Sequence, residues 1–170
     1  MDHYQVEYTK YELAKLSFLD CLDYLKLYEK GVDFFTEEPL AFERAMSKAF
    51  VITYARPFTN NNSVGGLGVG SISTRWVRTL PSAQRELHEE LVSDGRNSLV
   101  AHLDIEKLQP MIFLKPGNLN DHIMNWCLYS INSNSIYDLR ALATAAHEFC
   151  YEQQKKIRPN ISESIISYRL

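Results

Sequence analysis

A chain of 170 residues and 19.7 kDa, 45% hydrophobic and 23% charged, holds enough apolar material for one domain with its own core, which excludes disordered and fibrous classes. A formal charge of −3 and a pI near 6.0 exclude wholesale coating of nucleic acid or of an anionic membrane, so any nucleic-acid contact has to be local. Ten Tyr against two Trp suggest a core with polar-tipped side chains that need partners near the surface.

The opening MDHYQVEYTK has no basic stretch followed by an apolar one, and no later run reaches the roughly 18 uncharged apolar residues of a membrane span, so a cytoplasmic protein with no membrane partner is expected. From Tyr4 to Lys30, Tyr11, Ala14, Phe18, Leu22 and Leu25 recur at steps of three and four, and Leu13, Leu16, Leu19 and Leu27 widen the stripe of a long amphipathic helix. Gly31 offers it a left-handed stop. Thr36 as N-cap and Pro39 in the first turn open a second helix, over about 37–55, that Pro57 ends. Residues 56–80 include three consecutive Asn and the run VGGLGVGSIS, with no helical period and a length beyond an ordinary connection of roughly 12–15 residues. Ser82 is the expected cap of a third helix over 82–104, with a break expected at Gly95. An extended MIFL lies between Pro110 and Pro116, Asp121 offers the cap of a helix through NWCLYSI, and Ser135 caps one from Ile136 to about Lys156, its buried face Leu139, Leu142, Ala146 and Phe149. The fold expected is a single all-α domain over 1–170, an antiparallel helical bundle with a long Gly/Asn-rich loop between its second and third helices.

Cys21, Cys127 and Cys150 are odd in number and far apart, which points to buried free thiols rather than to disulfides or a zinc knuckle. His3, His88, His102, His122 and His147 include no pair at metal-ligand spacing, so neither a metal nor a cofactor is expected. Gly65 and Gly70 have the spacing of a phosphate-binding loop, but Ser71 and Ile72 stand where Lys and Ser/Thr are required, which leaves a surface loop that could serve as a lid.

Charge is distributed unevenly. Between Arg44 and Arg85 there is no Asp or Glu, while Arg44, Lys48, Arg56, Arg75, Arg78 and Arg85 contribute six positive charges, and the remaining 12 basic and 21 acidic residues give −9. Arg guanidinium forks bind phosphate and aromatic faces stack on unpaired bases, so Arg56, Arg75 and Arg78, with Phe58 and Trp76, form a candidate RNA-binding set. A solvated helix and loop that offset acidic termini would show the same pattern. A pocket lined by Tyr54, Phe58 and Trp76 would favour a small-molecule enzyme or sensor instead.

The most specific segment is Arg96-Asn97-Ser98-Leu99-Val100-Ala101-His102. On one straight helix Arg96 and His102 would lie about 9 Å apart along the axis and diverge by roughly 120°, so they share a site only if a new helix begins near Arg96, with Asp94 as cap, or if a second copy of the chain supplies half of it. An Arg, a polar neighbour and a His four to six positions after the Arg, in an all-helical chain of this size, resemble the HEPN superfamily, and HEELVSDGRNSLVAHLD is similar in texture. The resemblance covers about 20 residues plus the helical pattern; helical material after the motif and the interruption at 56–80 depart from a compact HEPN bundle.

The resemblance implies a dimerising helical bundle and, in many members, a metal-independent endoribonuclease of defence or toxin–antitoxin systems. It implies His102 as general base or acid, Arg96 as the clamp on the pentacovalent phosphate, Asn97 as an orienting donor and a 2′,3′-cyclic phosphate product. The partners it implies are RNA, a second copy of the chain and a cognate antitoxin protein. The alternative is a non-catalytic helical module that binds RNA or a protein partner. The breadth of the first helix's apolar stripe, Tyr4 to Tyr28, agrees with a homodimer.

Overall fold

A computed structural model describes residues 3–31, 39–59, 70–93, 111–113, 122–124 and 136–161. Their order is α1 (His3–Gly31), α2 (Pro39–Ala55), the 3₁₀ turn η1 (Arg56–Phe58), the 3₁₀ turn η2 (Arg75–Thr79), α3 (Ser82–Glu89), strands β1 (Met111–Phe113) and β2 (His122–Met124), α4 (Ile136–Ile157) and the 3₁₀ turn η3 (Arg158–Asn160). The all-α expectation holds, with one short antiparallel ribbon added. The cap residues Thr36 and Ser135 and most of the 56–80 loop's Gly/Asn-rich part lie outside the described residues. No helix among the described residues is long and apolar enough to cross a membrane.

The centre of the fold is α1. Tyr11, Ala14, Phe18, Cys21, Leu25 and Tyr28 are buried, at alternating steps of three and four, which places them on one face. One side of that face meets α2 in antiparallel register: Tyr28 stacks on Phe42 at 6.1 Å, Cys21 Sγ points to the Phe50 carbonyl at 3.8 Å, and Phe18 packs against Tyr54 at 5.5 Å. The other side meets α4, also antiparallel, through Tyr11 against Phe149 and the Arg140–Glu29 ion pair at 2.7 Å. Leu139, Leu142 and Ala146 of α4 are fully buried, as the spacing foretold, and Phe149 is partly so; Ala143 and Cys150 are fully buried beside them. Gln154 is a buried polar residue in this apolar contact. It accepts from Lys15 Nζ at 3.0 Å and donates to Glu12 Oε2 at 2.5 Å, so its amide is satisfied from both ends. Cys21 and Cys150 are buried free thiols, and burial pushes the Cys150 thiol up to about 12, well above reactive range. Cys127 lies outside the described residues.

Several local expectations are corrected. Leu13, Leu16, Leu19 and Leu27 do not widen the buried stripe: they are 40–54% exposed. Gly31 is buried and takes no left-handed conformation; a Cβ there would strike the Phe42 ring, so close packing is what requires the glycine. Ser82 is not a cap. Pro81, extended at ψ 153°, stands in the cap position, and its carbonyl accepts from Arg85 N at 3.1 Å. The helix expected from Asp121 is contradicted at its start, because 122–124 pair with 111–113 with Ile123 opposite Ile112, a cross-strand pair of β-branched residues. Beyond Glu89, residues 90–93 continue as a wider π-type turn.

Candidate nucleic-acid interface

η1 and the segment that leads into η2 are tied together by Ile72 N donating to the Pro57 carbonyl at 2.9 Å, with Ile72 buried. That bond brings the two Arg-bearing turns, η1 and η2, to one end of the helices. Within η2, residues three apart eclipse, so Arg75 and Arg78 share the solvent edge while Trp76 and Val77 turn inward. Thr79 Oγ1 closes the turn on the Trp76 carbonyl at 2.6 Å.

The six cations of the acid-free stretch, Arg44, Lys48, Arg56, Arg75, Arg78 and Arg85, are all exposed. None takes part in an ion pair among the described residues. Every ion pair described there lies on α1 and α4: Lys10–Glu7, Lys15–Glu12, Lys26–Asp23, Arg140–Glu29 and Lys155–Glu152. The long helices thus neutralise their own charge, and the stretch without carboxylates keeps its positive charge free for an external anion.

The aromatic side chains of this stretch are placed otherwise than expected. Trp76 is buried, stacked on Phe149 at 5.3 Å and edge-on to His88 at 6.1 Å, and its Nε1 has no hydrogen-bond partner among the described residues. Phe58 is half-buried against the His88 ring at 4.7 Å and against Phe18 at 5.9 Å. Tyr54, fully buried, holds His88 Nδ1 with its hydroxyl at 2.9 Å. Both rings are engaged in core packing, Trp76 with Phe149 and Phe58 with His88, Tyr54 and Phe18. Tyr54, Phe58 and Trp76 converge instead on His88.

His88 is the residue that sequence reasoning passed over. Only 4% of it is exposed, and burial holds its pKa down at about 4, so the imidazole is neutral near pH 7. It nevertheless reaches a cleft of about 530 Å³ between η2 and α3, lined by Thr74, Val77, Arg78, Arg85, His88, Glu89, Val92 and Ser93. Arg85, His88, Glu89 and Val92 stand at steps of three, one and three, one face of a helix, and Arg78 approaches from η2. The signal in the sequence was the spacing of Arg85 to His88, next to the acid-free run.

Arg96, Asn97 and His102 lie outside the described residues, so their mutual geometry does not enter the site. Among the described residues no group of three His, Cys, Asp or Glu could hold a metal ion. No family model, no curated protein and no solved structure matches this chain.

Proposed function

We propose that this protein is a helical module that binds RNA through its phosphate backbone, using the cations of the acid-free stretch, Arg56, Arg75 and Arg78 foremost. The observation that carries the reading is the segregation of charge: six exposed cations outside any described ion pair, on a chain whose net charge is negative. With the rings of Phe58 and Trp76 committed to the core, recognition runs through phosphate rather than base, and sequence preference is expected to be weak.

Endoribonuclease activity is the second reading. It is favoured by the Arg96-Asn97 to His102 spacing and its likeness to the HEPN motif. The exposed Leu13, Leu16 and Leu27 of α1 support the homodimer that this reading calls for, and an antitoxin partner belongs to the same reading. One experiment separates the two. Full-length protein is incubated with single-stranded RNA in EDTA, scored for cyclic-phosphate ends, and its RNA affinity is measured in parallel. Binding without cleavage leaves the module reading. Cleavage that falls about 10²–10³-fold in both Arg96→Ala and His102→Ala supports the enzyme. Absence of RNA binding at low salt defeats both.

A further inference from the structure

The cleft between η2 and α3 combines features that a solvated cationic surface does not need. Arg78 and Arg85 reach it from different elements, neither with an ion-pair partner among the described residues, and His88 presents a ring that is otherwise sealed in the core. Tyr54 fixes that ring through Nδ1, and Phe58, Tyr54 and Trp76 pack edge-on around it, so the imidazole is held in one orientation. A rigid neutral imidazole beside two guanidinium forks matches a group with three acceptor oxygens. A carboxylate or a phosphodiester has only two non-bridging oxygens, whereas a phosphate monoester has three. Glu89 lies in the same cleft, where its carboxylate repels phosphate and can accept from a hydroxyl such as that of a ribose. A volume of about 530 Å³ lies within the range of small-ligand sites.

We propose that this cleft binds a phosphate monoester carried on a ribose, with Arg78 and Arg85 clamping the phosphate, the His88 ring hydrogen-bonding it, and Glu89 accepting from the sugar. Two sources offer this chemistry, the phosphorylated end of an RNA strand and a free mononucleotide. The site stands on its own geometry; it rests on the RNA-binding reading only for the choice of the first source.

The test uses the full chain and four probes: inorganic phosphate, AMP, and one short RNA oligonucleotide with either a 5′-phosphate or a 5′-hydroxyl. The 5′-phosphorylated strand is expected to bind about tenfold more tightly than the 5′-hydroxyl strand, and Arg78→Ala or Arg85→Ala should each remove most of that difference. Arg56→Ala and Arg75→Ala should weaken both strands equally and leave AMP affinity unchanged. Glu89→Ala should strengthen binding of inorganic phosphate and abolish the advantage of AMP over it. In the unaltered protein, where folding is not in question, the His88 ring resonances should shift as phosphate or AMP is added. The proposal is overturned if the two strands bind equally well and AMP does not bind, if Arg78→Ala and Arg85→Ala leave phosphate and AMP affinity unchanged, or if His88 does not respond. In that event RNA binding sensitive to Arg56→Ala and Arg75→Ala still upholds the module reading. AMP binding through the cleft without RNA binding upholds the site, assigns it to free nucleotides and ends the RNA reading.

Discussion

His88 shows how one burial decision sets both charge and stability. In the unfolded chain its pKa is near 6.5, and in the fold burial holds it at about 4. Between these values the unfolded chain binds a proton that the folded one refuses. The stability from keeping His88 neutral is therefore complete above pH 6.5, is lost as pH falls towards 4, and changes no further below that. The shift sets a ceiling of about 3 kcal/mol on the loss. His147, depressed by burial and then by Lys15, acts in the same direction. Urea midpoints on either side of this window should fall with pH, and the His88 ring signal should stay in its neutral form well below 6.5; titration at its ordinary value would contradict the placement. Gln154 makes a second residue-scale case. Gln154→Ala leaves Glu12 and Lys15 without their shared amide at a largely buried contact and is expected to cost about 1–3 kcal/mol in a chemical denaturation series. Arg140→Ala, at an ion pair whose side chains are both 43% exposed, should cost at most about 1 kcal/mol.

At the scale of elements, Gly31 gives the sharpest test. At the right-handed conformation Gly31 adopts, alanine would be tolerated or slightly favoured if the space beside it were open. Because a Cβ would meet Phe42, which stacks on Tyr28, Gly31→Ala should instead destabilise by about 1–3 kcal/mol, and Phe42→Leu in the same chain should recover part of that loss. The example also shows what was legible in the residues and what was not. Steps of three and four gave α1 and α4 because each buries a regular face on a neighbour, and those periods are local. A glycine at a helix end reads the same whether it turns the chain or admits a ring, since the ring comes from another helix. Ser82 looked like a cap, but Pro81 fixes an extended entry and offers its own carbonyl to Arg85. His122–Met124 carried no local strand signal strong enough to outweigh Asp121 as a cap; antiparallel pairing with Met111–Phe113, a short segment only just upstream, decided it. The cationic surface was legible because absence of carboxylates over a long run is a property of the sequence itself. The His88 cleft was not, because four elements must meet before a histidine in α3 is caged by Tyr54, Phe58 and Trp76.

At the scale of the whole molecule, the chain separates its charge. The face of α1 and α4 neutralises itself in short-range pairs, and the end that carries η1, η2 and α3 keeps exposed cations outside any described pair. A net charge of −3 then limits non-specific attraction at long range, and the RNA binding proposed for the local surface would act at short range. Phosphate contacts of this kind release counterions, so their number is read from the dependence of affinity on salt. The measurement that tests the account most directly is the affinity of the full chain for a single-stranded homopolymer RNA across a series of salt concentrations, compared with Arg56→Ala, Arg75→Ala and Arg78→Ala. The account predicts a fall in log affinity with log salt whose slope shrinks by about 0.7 for each arginine removed, with the helical signal unchanged. A slope near zero in the unaltered protein, or one that the three substitutions leave as it was, would contradict it.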